Sequence, residues 1–165
     1  MKGDFFGGTS GLLIDQPKQD FPPEYGHLSR LGYYALYENS IEINSSFYKV
    51  PQAKTVTRWT TEVRGNFRFT FKLWKGITHE KNLFFNPQDV RRFMEAIQLP
   101  KSLQGCLLVQ FPPGLQVNSL PQLAKLLDLL NAGAWPIAVE FRHSSWIFLV
   151  FDSWGIREGA IKIRK

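Results

Sequence analysis

Polar side chains at the ends of short apolar strands are the residues of this chain that could do chemistry. Glu42 and Asn44 alternate with Ile41 and Ile43, so a carboxylate and an amide share one face of a short strand. The same alternation gives three later strands a polar face, with the side chains Lys72, Gln110, Glu140 and Arg142. A charge on a covered face costs free energy unless it is paired or used, so we predict a functional site.

The residue types allow more than one chemistry. Two carboxylates, Glu42 and Glu140, could act as the general acid and base that glycoside hydrolysis requires. The alternative is that they only neutralise Lys72 and Arg142. These two cations could instead hold a phosphate or a carboxylate, Arg142 in bidentate fashion.

A metal is a weaker interpretation. Adding His79 or His143 to the glutamates gives a mixed set of the kind that binds a divalent cation. The sequence has no His-x-x-x-His spacing to support it. We therefore predict no metal site, and the sequence leaves any cofactor unknown.

Strands and helices alternate along the chain. Period-two patterns predict strands at residues 5–8, 40–44, 67–73, 107–111 and 137–143. Helical spacing predicts helices at residues 28–36, 53–63, 87–97 and 119–130, with Ser29 as a cap, whereas residues 45–51 and 77–80 read as loops. Alternation of this kind predicts an α/β fold of about five parallel strands with helices on the outside. All carboxyl ends of the strands then meet at one rim, where such folds carry their sites.

Length and composition limit the fold and the partners. The 165 residues, 44% of them hydrophobic, suit a globular domain but fall short of the roughly 250 residues of a full eight-stranded barrel. A net charge of +6 favours anionic partners, although part of the excess lies at Arg157, Lys162, Arg164 and Lys165.

The remaining features concern the compartment. Because Cys106 is the single cysteine, the chain cannot form an internal disulfide, which favours a reducing compartment. Its apolar surroundings in the sequence predict a buried apolar residue and not a nucleophile. The start of the sequence lacks a signal peptide, and no stretch approaches the length of a membrane span. We therefore predict a cytoplasmic location and no membrane partner.

Six ordered motifs carry a resemblance to a known family. They are the residues at 8–11, 42–48, 67–72, 77–79, 109–113 and 139–143 with Trp146. In this order they resemble the YecE-like family, domain of unknown function 72. The resemblance implies a TIM-barrel-like fold whose biochemical role is uncharacterised.

The sequence departs from the family pattern at two places. Leu12, Leu13 and Ile14 stand where the family usually has a tryptophan and an aromatic loop. The similarity ends after Trp146, whereas members of the family continue with further strand and helix units. The resemblance therefore implies a partial, truncated barrel over residues 1–146 and a divergent tail over residues 147–165. We expect such a barrel to expose its first and fifth strands as edges and to self-associate through them.

Our first hypothesis is an enzyme, hydrolase or isomerase-like, that acts on a small polar, anionic or phosphorylated ligand at the rim. We predict Glu42, Lys72, His79 and Glu140 as catalytic residues. The predicted ligand-binding residues are Thr9, Ser10, Asn44, Tyr48, Gln110, Arg142 and His143. One alternative is a nucleic-acid-binding module, which would bind single-stranded DNA with a steep salt dependence. The other is a non-functional remnant of a barrel.

Overall fold

Short parallel strands form a sheet whose order follows the chain. The computed structural model describes residues 4–146 and the backbone of residues 161–163. The strands are β1 (Gly8–Ser10), β2 (Ser40–Ile43), β3 (Arg68–Lys72), β4 (Gln104–Gln110), β5 (Ile137–Phe141) and β6 (Ile161–Ile163). Each strand pairs in parallel with the next. The predicted α/β fold with parallel strands is therefore confirmed.

Six α-helices of the described residues accompany the strands, and side chains cap two of them. The helices are α1 (Arg30–Tyr34), α2 (Ser45–Tyr48), α3 (Ala53–Glu62), α4 (Lys75–Thr78), α5 (Pro87–Ala96) and α6 (Leu120–Asn131). The Ser29 side chain accepts a 2.9 Å hydrogen bond from the Gly32 amide and caps α1, as predicted. Asn86 caps α5 through the Gln88 amide, 3.0 Å away. Among the helices of residues 4–146, none combines the length and the apolar surface that crossing a bilayer requires.

The core lies between the sheet and the helices. One side chain in two along β2, β3 and β4 points to the helices, and these apolar side chains are at most 8% exposed: Ile41, Ile43, Phe69, Phe71, Leu107 and Val109. Trp59 of α3 stacks over the two phenylalanines, with ring centroids 6.2 and 6.5 Å away. Phe93 of α5 and Leu126 of α6 are fully buried against this layer. The predicted outward face of these strands is therefore the core.

Three local predictions are wrong. Residues 45–48 form the single-turn helix α2 instead of a loop, and residues 77 and 78 of the second predicted loop belong to the single-turn helix α4, because one turn is too short to show a helical period. The first strand begins at Gly8, not Phe5, whose side chain is 88% exposed. The pairing of Gly8 with Ser40 is so close that a β-carbon at position 8 would overlap the Ser40 carbonyl. The glycine therefore fixes where the strand can start.

The predicted tail lies outside the described residues except for residues 161–163. These form β6 and pair with Val139, Glu140 and Phe141 of β5. The prediction that β5 is an open edge is therefore wrong, since three residues carry too little pattern to be read as a strand. In the part of the chain that the structure describes, β1 and β6 are the outer strands of the sheet.

We propose that the 165-residue chain self-associates through these outer strands. Along the free side of β1, backbone amides and carbonyls can pair with a strand of another copy. Sedimentation velocity of the purified chain should show a dimer or a larger species that dissociates on dilution. A monomer with a cooperative thermal melt would contradict this expectation.

Candidate functional site

The strand register places the predicted polar residues on one face of the sheet. Glu42 is the register partner of Ser10 and of Thr70. Lys72 lies two residues after Thr70 on β3, and its register partner on β4 is Leu108. Gln110 lies two residues after Leu108, and its register partner on β5 is Glu140. Register partners in parallel strands, and residues two apart on one strand, point to the same face. This face, opposite the helices, is called the inner face below.

One polar cluster on the inner face joins β1 to β2. The Ser10 hydroxyl donates to Glu42 Oε1 over 2.9 Å, and Asn44 Nδ2 donates to Ser10 Oγ over 2.6 Å. Next along the face, Thr70 Oγ1 lies 3.7 Å from Cys106 Sγ. Burial raises the pKa of the Cys106 thiol, the Thr70 hydrogen bond opposes this rise, and the Glu42 charge adds to it. The thiol is therefore protonated at neutral pH and is a poor nucleophile.

A second polar cluster surrounds Glu140 on β5. Gln110 Nε2 donates to Glu140 Oε2 over 2.8 Å, and Arg142 Nε donates to Glu140 Oε1 over 3.1 Å. Glu140 is 5% exposed, whereas the Arg142 side chain is 34% exposed. A buried carboxylate with a donor on each oxygen is fixed in position, and its bond to Nε in turn restrains the Arg142 guanidinium.

The one-turn helix α2 presents two aromatic rings to basic side chains. Phe47 and Tyr48, which we call the aromatic platform, meet edge to face with centroids 5.1 Å apart. Lys72 Nζ lies 4.5 Å from the centre of the Phe47 ring, and Lys75 Nζ lies 5.5 Å from that of Tyr48. The His79 ring packs edge-on against Phe47 at 5.0 Å. Among the described side chains, neither lysine has a carboxylate within 4.0 Å.

His79 contacts the aromatic platform and lies close enough to Arg142 of the second cluster to be affected by its charge. Burial, followed by the charges of Lys72, Arg142 and Lys75, lowers the pKa of His79 below its usual value. Its Nδ1 is 2.9 Å from Thr78 Oγ1. The imidazole is therefore neutral at neutral pH and has three cations near it.

A polar cavity of about 390 Å³ opens beside His79, between the loop after α4 and the loop after β4. The side-chain amides of Asn82, Gln116 and Asn118 line it. Asn82 and Leu83 both have left-handed backbones, with φ of 52° and 59°. Such conformations cost about 1 kcal/mol or more each and are held where the surrounding structure requires them. The loop that forms one wall of the cavity is therefore strained.

The two glutamates lie in separate clusters. Glu42 on β2 and Glu140 on β5 are three strand positions apart, roughly 14 Å along the sheet. The paired carboxylates of glycosidases are about 5 to 10 Å apart. The hydrogen-bond partners of the two residues also differ, since Glu42 binds Ser10 whereas Glu140 binds Gln110 and Arg142. This arrangement gives no support to an acid and base pair made of these two residues.

Metal ligands do not cluster in the described region. Within residues 4–146, His, Cys, Asp and Glu side chains form no group of three or more that could hold a metal ion.

Comparison with known proteins identifies the family. The model of the family described as "Protein of unknown function DUF72" matches residues 8–150. The chain belongs to this family. It is 29% identical over 128 residues to the UPF0759 protein YecE of Escherichia coli K12, covering 73% of this chain and 47% of that protein. It is 25% identical over 132 residues to the UPF0759 protein YunF of Bacillus subtilis, covering 76% and 47%. The chain thus spans about half the length of the curated relatives it matches.

Solved DUF72 structures share the fold. The crystal structure of a DUF72 family protein from Enterococcus faecalis V583 matches with a TM-score of 0.63 at 27% identity, covering 72% of this chain and 49% of that one. A DUF72 family protein from Thermotoga maritima matches with a TM-score of 0.57 at 24% identity, covering 86% and 56%. The resemblance found in the sequence is confirmed by the family match.

Two predicted ligand-binding residues of this DUF72 chain lie away from the clusters described above. Thr9 points to the helix side of the sheet, with Oγ1 3.0 Å from the Tyr34 hydroxyl, opposite to Ser10. His143 stabilises its own turn, because Nδ1 accepts from the Ser145 amide over 3.1 Å and bonds with the Ser145 hydroxyl over 2.8 Å. The proton of neutral His143 is therefore on Nε2. Tyr48, by contrast, belongs to the aromatic platform.

Phe47 and Lys75 lie at the site but are not among the predicted site residues. Phe47 lies in α2, within a segment predicted as a loop, and Lys75 begins α4, just before the predicted loop at residues 77–80. A signal was present, because an aromatic pair lies within the short segment that follows the strand carrying Glu42. An aromatic ring attracts an ammonium group placed within about 6 Å of its centre, so such a pair at the rim favours lysines beside it.

Replacing Arg142 should show how strongly the second cluster depends on its cation. We expect Arg142→Met to lower the free energy of unfolding by about 1–3 kcal/mol, because it removes a charged donor from a buried carboxylate. Urea denaturation measures this. The control is Arg58→Met, since Arg58 is 66% exposed in its pair with Glu62 on α3 and should matter by only about 0.5 kcal/mol. Equal, small losses in both variants would contradict the role of Arg142.

Proposed function

We propose that the rim binds a small ligand that carries a phosphate or a carboxylate, and that the protein is an enzyme that transfers a proton at this ligand. One observation supports the proposal above all others. The ammonium groups of Lys72 and Lys75 lie over the aromatic platform beside His79, with no carboxylate within 4.0 Å among the described side chains. Cations held together without a counter-charge attract an anion.

The basic residues have distinct roles in this proposal. Lys72 and Lys75 bind the anionic group as point charges. Arg142 adds a planar donor whose orientation is set by its bond to the buried Glu140. Glu140 is then a positioning residue, which accounts for a carboxylate beside an anion site.

His79 supplies the proton transfer. A neutral imidazole next to a bound anion can take a proton from the ligand and return it. Hydrolysis and isomerisation both need a group that does this. Its pKa, lowered by burial and by Lys72, Arg142 and Lys75, keeps it in the proton-accepting form at neutral pH. A bound anion offsets those cations and makes proton uptake easier.

The cavity beside His79 accommodates the rest of the ligand. Amide side chains such as Asn82, Gln116 and Asn118 donate and accept hydrogen bonds, which suits hydroxyl groups. The ligand class supported best is therefore a small, hydroxylated phosphate or carboxylate. Since the chain spans about half the length of its relatives, turnover is proposed for the whole protein and binding for this chain.

Calorimetric titration with inorganic phosphate tests the binding step. We expect phosphate to bind wild-type protein, and Lys72→Met to weaken binding about fivefold or more because it removes one of the cations. The matched control is Lys54→Met, which removes an exposed cation on α3 and should leave the affinity unchanged. Failure of wild-type protein to bind phosphate, or equal affinity in both variants, would refute the proposal. Retention on single-stranded DNA with a steep salt dependence would instead favour the nucleic-acid alternative.

The titration of His79 gives a second, independent test. Its pKa lies below the usual value in part because cations disfavour the protonated ring, so a bound phosphate should raise it. Proton NMR of the imidazole across a pH series, with and without phosphate, measures the shift. His27 is exposed on the loop before α1 and serves as the internal control. Superimposable His79 curves in the two series would show that phosphate does not bind beside it.

A further inference from the structure

A second cavity, of about 470 Å³, lies on the helix side of the sheet and was not part of the predicted site. We call it the tyrosine groove, because Tyr33, Tyr34 and Tyr37 of α1 and the residues after it form one wall. The other wall is Thr9 and residues 13–16. Thr9 points to this side whereas Ser10 bonds Glu42 on the inner face, so the tyrosine groove and the rim are separate sites.

The aromatic wall is held in place by contacts among its own side chains. Tyr33 is buried and stacks on Phe21 with ring centroids 3.9 Å apart, and Tyr37 meets it edge to face at 5.4 Å. The Tyr37 hydroxyl donates to that of Tyr33 over 3.3 Å, and Tyr33 donates to Gln16 Oε1 over 3.1 Å. Tyr37 nevertheless remains 69% exposed and accessible to a ligand. The rings are therefore arranged before any ligand arrives.

The charges of the tyrosine groove are opposite to those of the whole chain. Its described lining contains the carboxylates of Asp15 and Glu38 and no lysine or arginine, in a protein of net charge +6. Within residues 4–146 neither carboxylate has a basic nitrogen within 4.0 Å. The nearby guanidinium of Arg30 donates to the Ile14 carbonyl and not to a carboxylate.

We propose that the tyrosine groove binds a small alkylammonium ion. Aromatic faces attract cations, most of all when alkyl groups spread the charge and reduce its hydration. The two carboxylates supply the counter-charge for a cation. They would repel an anion, and a neutral apolar ligand would remove water from them without offering a hydrogen bond or an opposite charge. A cavity of this volume falls within the roughly 300 to 1,000 Å³ of small-molecule sites.

Titration of the purified chain with choline tests this inference. The matched probe is 3,3-dimethylbutan-1-ol, which has nearly the shape of choline without its charge. We expect choline to bind and the neutral alcohol to bind at least about fivefold more weakly. Tyr37→Leu and Glu38→Gln should each weaken choline binding by a similar factor, since one removes an aromatic face and the other a charge.

The controls separate the site from general effects of charge and folding. Glu95→Gln removes an exposed carboxylate on α5, and Phe84→Leu removes an exposed ring, so both should bind choline like wild type. A thermal melt of each variant checks that the fold is intact, and Glu38→Asp should restore part of the binding lost in Glu38→Gln. Equal affinity for choline and the alcohol, no binding of choline, or unchanged affinity in folded Tyr37→Leu and Glu38→Gln would overturn the proposal.

Discussion

Burial of one face of the sheet against the helices is the constraint on which the rest of the structure depends. Strands β2, β3 and β4 must each send apolar side chains to α3, α5 and α6, and the fully buried Phe69, Phe71 and Leu107 show how completely they do. Because side chains alternate, every other residue is forced onto the inner face whatever its function. Parallel pairing then aligns these residues across strands, so that one packing requirement assembles the polar clusters.

Positive charge is concentrated at the rim, and neighbouring side chains stabilise it in different ways. Arg142 is neutralised by the buried Glu140. Lys72 and Lys75 are stabilised differently, by the electron-rich faces of Phe47 and Tyr48, which attract a cation without removing its charge. Burial, followed by the charges of these three cations, lowers the pKa of His79, so its ring remains neutral at neutral pH. A carboxylate in place of the platform would stabilise the lysines more but would also cancel their charge, whereas the aromatic rings leave that charge in place.

How far the sequence predicts this structure depends on the length of each pattern. The alternation from Arg68 to Lys72 is long enough to predict both the strand β3 and its buried face. Ser29 predicts the start of α1, because a serine hydroxyl can accept a hydrogen bond from a free amide of the first helical turn. Single-turn helices and the three-residue β6 contain too few residues to show any period. Thr9 shows the difficulty at strand ends: the predicted first strand, residues 5–8, stops before Thr9 and Ser10, whereas both belong to β1, where neighbouring side chains point to opposite faces. Lys75 could not be found for a related reason, because its position depends on α4 and on contact with a ring from another segment.

Net charge is a poor guide to the partners of this chain, because the charges are sorted by face. The value of +6 and the pI near 9.6 indicate anionic partners for the molecule as a whole. The structure instead places cations at the rim of the inner face and the carboxylates of Asp15 and Glu38 on the helix side, in the tyrosine groove. At an ionic strength near 0.15 M the screening length is about 8 Å, so each site responds mainly to the charges beside it. Local lining, not the sum over the chain, therefore decides which ion each face can bind.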